Sequence, residues 1–230
     1  MITLHALTDG PPSVAVRILL EHLKVPYVFR YVKYYEGETL TDDFWKLNPQ
    51  REIPVIDDNG FLLSEHVAIM QYICDKYAPK SSLYPVEARH RAIVNQRLCF
   101  NTSFFYSAIA AAIVAPIFFD YPQTEQGIKR VHNVLGVFEE YMKRLGKKYV
   151  AGDTVTIADI SLACSSTVLE AARFDLSLYP LVKKWYETFK NENKEMWIYA
   201  QKALDEVANY AVSPPDMSKM VHPIHPMKKK

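Results

Sequence analysis

The rhythm of apolar and polar positions changes once along the chain, near residue 78. Before it, short apolar runs alternate with helical spacings. Ile2–Ala6 is an apolar stretch of strand length. Pro11 and Pro12 follow, where a helix can begin because the N–H that proline lacks has no partner in a first turn. Val14, Ile18, Leu19 and Leu23 then recur at helical spacing up to Lys24. Residues 27–32 read as a second strand. Thr41, Asp42 and Asp43 can cap a short helix over 44–47, which stops before Asn48-Pro49 because the residue preceding proline avoids helical angles. Residues 53–56 and 61–63 flank Asp57-Asp58-Asn59-Gly60. Asn-Gly supplies the positive φ angles of a tight hairpin turn, so these strands are antiparallel. A helix over 67–77 completes the order β-α-β-α-β-β-α, with the first two strands parallel across their helical crossover.

Residues 78–85 carry two prolines, a lysine and two serines and read as a linker. Beyond them the period is helical, with helices expected at 87–118, 124–145, 157–173, 179–191 and 195–209. The expected class is α/β plus all-α: a mixed four-stranded sheet domain over 1–78, an all-helical domain over 87–210, and an extended tail over 211–230. The tail is proline-rich and ends in Lys228, Lys229 and Lys230; its His222 and His225 are a weak metal signal.

Composition removes several function classes. At 49% hydrophobic and 23% charged, the 230 residues are too apolar for a disordered chain. Lys and Arg number 27 against 26 Asp and Glu, so the net charge of +1 gives no electrostatic reason to expect nucleic acid. The 7 glycines, about 3% against a typical ~7%, are too scattered for a phosphate-cradling loop. The 3 cysteines are far apart, with no CxxC, which argues against a disulfide framework or a zinc site and for a reducing cytoplasmic compartment. Cys74 and Cys99 are expected to be buried and inert. The longest apolar run, 108–119, falls short of the ~18 residues of a membrane span, and the N-terminus lacks the basic and apolar regions of a signal peptide.

Two stretches go beyond pattern. Leu47-Asn48-Pro49-Gln50-Arg51-Glu52-Ile53-Pro54-Val55-Ile56 is followed by Leu63-Ser64-Glu65-His66 at a helix start, and Val150-Ala151-Gly152-Asp153-Thr154-Val155-Thr156-Ile157-Ala158-Asp159 lies in the helical half. Together they resemble the cytosolic glutathione S-transferases, closest to the insect delta and epsilon classes or an unclassified insect class. The resemblance spans residues 1–205 and implies a thioredoxin-like first domain, glutathione as co-substrate, a hydrophobic electrophile as second substrate and a homodimer. Ile53-Pro54 resembles the family's cis-proline step, whose preceding residue pairs by its backbone with the cysteine of glutathione. Glu65 resembles the acid that binds the γ-glutamyl amine, with helix N–H groups beside it for the carboxylate. Gln50 resembles a side chain bonded to the peptide. Thr156 and Asp159 form a capping box, which supports the fold rather than catalysis.

The departures are specific. Gly10-Pro11-Pro12 stands where the delta and epsilon pattern has Ser-Pro-Pro, whose serine stabilises the thiolate. Arg51 replaces a histidine, Thr39 a second one, and Glu65-His66 an acid–serine pair. A thiolate needs a donor or positive potential to lower its pKa from about 8.5. Ser13, on the same helix face as Gly10, is the first candidate; Thr8, His5 and the helix N-terminus are the others. Arg51 either attracts the glycyl carboxylate or is merely solvated, and His66 either touches the ligand or is a surface histidine whose backbone does the binding. The resemblance places Tyr106, Ile109, Ala110, Ile113, Val114 and Ile117 around the second substrate, with Ser13 and Tyr34 opposite. Arg91, Asn95, Leu98 and Thr102 are expected at the dimer interface. Two readings stand: a detoxifying transferase, and a non-catalytic carrier of a hydrophobic small molecule. A thiol–disulfide enzyme would need a cysteine near Gly10, and none is there.

Overall fold

The computed structural model describes residues 1–119, 121–210 and 212–220. The sheet contains β1 (Ile2–Ala6), β2 (Tyr27–Tyr31), β3 (Val55–Asp58) and β4 (Phe61–Ser64) in the order β2-β1-β3-β4. β1 and β2 are parallel, with Leu4 opposite Phe29; β3 runs antiparallel to both β1 and β4. β3 begins at Val55, later than the apolar run, because Ile53 and Pro54 form a cis peptide step ahead of the strand. Asn59 and Gly60 take φ of 55° and 91°, and the Gly60 N–H donates to Asp57 Oδ1 at 2.7 Å, which closes the expected hairpin.

Successive strand residues point to opposite faces, and the sheet uses both. Ile56 joins the main core with helices α1 (Pro11–His22) and α3 (His66–Tyr77). Val55 joins a smaller cluster with Val32 and Phe44 of helix α2 (Asp42–Leu47). Asp58, fully covered at the end of β3, accepts hydrogen bonds from Tyr72, Tyr77 and Lys76 at 2.6–2.7 Å and ties the hairpin to α3.

The second half is helical: α4 (Ala88–Phe118), α5 (Glu125–Leu145), α6 (Ile157–Ala171), α7 (Pro180–Glu192) and α8 (Lys194–Tyr210). α4 is 31 residues long and, by length and composition alone, apolar enough to cross a membrane. Its Leu98, Phe105, Ala108, Ile109 and Ile113 are nevertheless packed in the protein core. Two π turns, Asn101–Phe105 and Ala110–Val114, interrupt it. Pro116 has no N–H to offer the Ala112 carbonyl, and the Gln123 side-chain amide donates there instead at 3.3 Å. Cys99 is exposed, not buried, because it lies on the outward face with Ala92, Gln96 and Ser103. Leu98, expected at a subunit interface, is wholly inside this chain's own core.

α6 is buried from 157 to 169. Two of its buried hydroxyls are satisfied within the helix, Ser166 donating to Leu162 O and Thr167 to Cys164 O, while Ser161 meets His66 and Asn101 from outside it. The fully buried Asp159 carries four hydrogen bonds. Oδ2 accepts from the N–H and hydroxyl of Thr156, both at 2.8 Å; Oδ1 accepts from Val150 N–H at 2.9 Å and Trp185 Nε1 at 3.0 Å. One side chain therefore joins the 150 loop, the α6 cap and α7. Past α8 the tail folds back, burying Met217 and Met220 against Tyr34, Tyr35, Phe118 and Tyr210. His222, His225 and the three terminal lysines lie outside the described residues.

Removing the Asp159 carboxylate leaves four donors without their partner in a dry interior. Asp159→Ala is expected to destabilise by about 3 kcal/mol or more, lowering the melting temperature by roughly 10 °C for a chain of this size. A melting curve within a degree or two of the unaltered protein would mean that the network is dispensable.

Candidate functional site

Two depressions meet at the N-terminus of α1. The first is a polar recess lined by Asn48, Gln50, Glu52, Ile53, Pro54, Glu65 and His66, closed by Pro12. Asn48 shapes its floor: its amide donates to Glu52 O at 2.8 Å, and its Oδ1 accepts the Gln50 N–H at 3.1 Å. Gln50 Nε2 donates to Glu65 Oε1 at 3.0 Å, while Ser64 Oγ donates to Gln50 Oε1 at 3.2 Å. Glu65 is held at φ 66°, a conformation rare for a residue with a Cβ. It does not cap its own helix, so its carboxylate faces the recess above the free amides of the first turn of α3.

Gln50, Ile53, Pro54, Glu65 and His66 are thus brought together. Arg51 is not in this recess. Its guanidinium donates to Thr41 O at 3.2 Å and Thr39 O at 3.5 Å and stacks on Trp45, because the backbone at Arg51 turns through φ 59° towards α2. His66 is not a surface residue. It is 7% exposed, and its Nε2 lies 2.9 Å from Ser161 Oγ on α6. Burial lowers its pKa from 6.5 to about 4, so the ring is neutral and serves as a wedge between the two halves.

The second depression is an apolar cleft of about 200 Å³, below the roughly 300–1,000 Å³ of sites for drug-sized ligands. Leu7, Asp9, Gly10, Pro11, Pro12 and Ser13 form one wall, Tyr34 and Tyr35 another, and Tyr106, Val114 and Phe118 of α4 a third. Phe119, Val168, Val207 and Met217 complete it. Of the residues expected here, Tyr34, Tyr106, Val114 and Ser13 line the cleft. Ile109 and Ile113 are core residues, and Ala110 and Ile117 lie outside the lining. The two π turns shift the register of α4, so that Tyr106, Val114 and Phe118 share the cleft face while Ile109 and Ile113 turn into the core.

Ser13 is 2% exposed, and a Cβ built on Gly10 would lie 3.9 Å from its Oγ. Gly10 has φ −69°, which any residue adopts. Thr8 instead donates its hydroxyl to Glu206 on α8 at 2.8 Å; neither Thr8 nor His5 lines the cleft. Pro12, Glu52 and Ile53 line both depressions, so the two are contiguous. Burial raises the Glu52 carboxyl to about 7, helped by the negative charge of Glu65. Burial, with the nearby Asp9 charge, also keeps the hydroxyls of Tyr34, Tyr35 and Tyr106 protonated.

Comparison with known proteins decides the family. A family model of the glutathione S-transferase N-terminal domain matches residues 4–81, and one of the C-terminal domain matches residues 102–193. A diazinon-metabolizing glutathione S-transferase of the silkworm, Bombyx mori, is 45% identical, with a TM-score of 0.85 over 90% of this chain and 99% of that one. The chain belongs to the glutathione S-transferase family. A delta-class glutathione transferase of Nilaparvata lugens is 29% identical, with a TM-score of 0.86 over 93% of this chain and 100% of the other. An epsilon-class glutathione S-transferase from the housefly, Musca domestica, is 29% identical over 91% and 98%, with a TM-score of 0.80.

Within this transferase, several cleft residues carry no local sequence signal. Asp9, Tyr35, Phe118, Phe119, Val168, Val207 and Met217 come from six separate stretches, and only Asp9, directly before Gly10, sits beside a recognisable motif.

The buried His66 carries a pH signature. The unfolded chain binds a proton near pH 6.5, the folded protein only near pH 4, so the unfolded state binds more protons between them. Stability is full above about pH 6.5 and falls, by up to about 3 kcal/mol from this residue, as the pH drops towards 4. Urea midpoints at pH 7.5 and 5 should differ less in His66→Gln than in the unaltered protein; equal differences would remove His66 as the source.

Proposed function

We propose that the protein conjugates glutathione to small hydrophobic electrophiles, with residues 1–78 holding the peptide and forming the second site together with residues 87–210 and Met217. The observation that carries this reading is the shared wall: Pro12, Glu52 and Ile53 border both the polar recess and the apolar cleft. A glutathione with its γ-glutamyl amine at Glu65, its peptide against Gln50 and its cysteine along Ile53 directs its sulfur to that border, beside Ser13. The protein then contributes proximity to a bound electrophile and a lower thiol pKa. Ser13 is the hydroxyl best placed to donate to the thiolate. The match to a diazinon-metabolizing silkworm enzyme supports a detoxifying role.

A second reading, a carrier of hydrophobic molecules, has one observation behind it. Gly10 has no hydroxyl and Pro11 and Pro12 have no N–H, so the first turn of α1 offers a sulfur few donors. The two readings separate experimentally. Under the transferase reading, calorimetry shows glutathione binding that Glu65→Ala weakens at least about tenfold. Ser13→Ala lowers kcat/KM for an aryl halide roughly tenfold at neutral pH, about 1.4 kcal/mol, and less above pH ~9 where free glutathione ionises unaided. An unchanged rate and pH profile in Ser13→Ala would remove that role. Binding without any turnover favours the carrier, and Gly10→Ser, for which there is space, is then expected to create activity.

A homodimer is part of the same proposal. Phe61 and Leu62 on β4 are 48% and 39% exposed, and α4 presents the uncharged face Ala92, Gln96, Cys99 and Ser103. Light scattering should return twice 26.5 kDa; a monomer mass in dilute solution would contradict it.

A further inference from the structure

The cleft contains a carboxylate that thiol chemistry does not use. Asp9 is 3% exposed yet lines the cleft. Its Oδ2 accepts a hydrogen bond from Tyr35, and its buried Oδ1 has no hydrogen-bond partner. Among the described residues it enters no ion pair, and no Lys, Arg or His lines the cleft. The titratable groups that sense its charge are Tyr31, Tyr34, Tyr35, Tyr106, Tyr210 and Glu206, none of them a cation. Burial pushes its pKa up, against the Tyr35 hydroxyl and the Asp9 and Gly10 N–H groups, which pull it down.

A carboxylate without a counter-ion is costly to bury, and removing it from water strengthens its pull on any cation that arrives. Part of the wall around it is aromatic. Tyr34 and Tyr35 meet edge to face at 5.8 Å, Tyr35 stacks on Phe118 at 5.9 Å, and Tyr106 closes the other side. Aromatic faces attract cations and repel anions. Carboxylate and rings therefore select the same chemistry.

We infer that Asp9 is a specificity residue: its buried carboxylate, with one oxygen unpartnered and set in the wall of a partly aromatic cleft free of basic side chains, selects hydrophobic second substrates that carry a protonated nitrogen. The inference rests on the transferase reading only in calling the cleft the second-substrate site. The selectivity itself belongs to the cleft.

The test is calorimetric titration at pH 7 with 1-naphthylmethylamine, a protonated amine, and its neutral analogue 1-naphthylmethanol. The unaltered protein should bind the amine roughly tenfold or more tightly than the alcohol. Asp9→Asn, close in shape and still able to accept from Tyr35, should abolish that preference. Tyr35→Phe, which leaves the carboxylate intact, should keep it, so a folding failure of the asparagine variant does not remove the test. Equal binding of amine and alcohol by the unaltered protein overturns the inference. So does an amine preference that survives Asp9→Asn but disappears in Glu52→Gln, which would place the cation at Glu52. Glutathione titrated separately tests the transferase reading: amine selectivity without glutathione binding defeats that reading alone, and glutathione binding without amine selectivity defeats only the role of Asp9.

Discussion

Everything at the site depends on how α1 is confined. An ordinary surface helix buries one stripe; α1 buries eight of its twelve residues, because the sheet and α3 cover one side while α6 and α8 cover the other. The two halves consequently share one continuous apolar core, in which Leu4 and Ile56 of the sheet belong with Val168 and Leu204 of the helical half. Helix α1 cannot shift relative to either half without opening that core. Its first turn, with Gly10, Pro11, Pro12 and Ser13, is therefore a fixed edge, and both depressions are built against it. His66 wedged on Ser161, and Thr8 bonded to Glu206, add polar ties across the same seam.

The wall so fixed is unusual in its donors. Two successive prolines start the helix with preset angles but remove two of its free amides. What remains near the border is the Ser13 hydroxyl on one side and the buried Asp9 on the other. The polar recess is the reverse: hydrogen bonds run from Ser64 through Gln50 to Glu65, and the α3 amides lie open. A polar recess and an apolar cleft are thus set side by side, distinguished by the chemistry of single side chains.

The fold was legible in the sequence because its signals are local. Asn59-Gly60 could only be a tight turn, Thr156 and Asp159 could only be a cap, and the change from strand and helix to pure helix falls where the pattern changes. The polar recess was legible for the same reason, since the Gln50-to-Pro54 and Glu65 stretches are contiguous in the chain. The apolar cleft was not. A π turn has no residue signature of its own, so the resemblance that set Ile109 and Ile113 beside Tyr106 and Val114 could not show that the register shifts turn them into the core. Arg51 has a side chain suited to a carboxylate, but Trp45 and two backbone carbonyls claim it. Met217 reaches the cleft from a tail with no periodicity at all.

That tail carries a consequence of its own. Its Lys219 carbonyl passes 2.7 Å from where a Cβ on Gly37 would be, and Gly37 holds φ 81°. No other residue satisfies both conditions. The bare α-carbon in the 37 loop therefore leaves room for the 212–220 segment, which carries Met217 to the cleft. A single added methyl group there would clash with the Lys219 backbone that this segment presents. Met217 is thus placed in the cleft wall by a contact that belongs to neither depression.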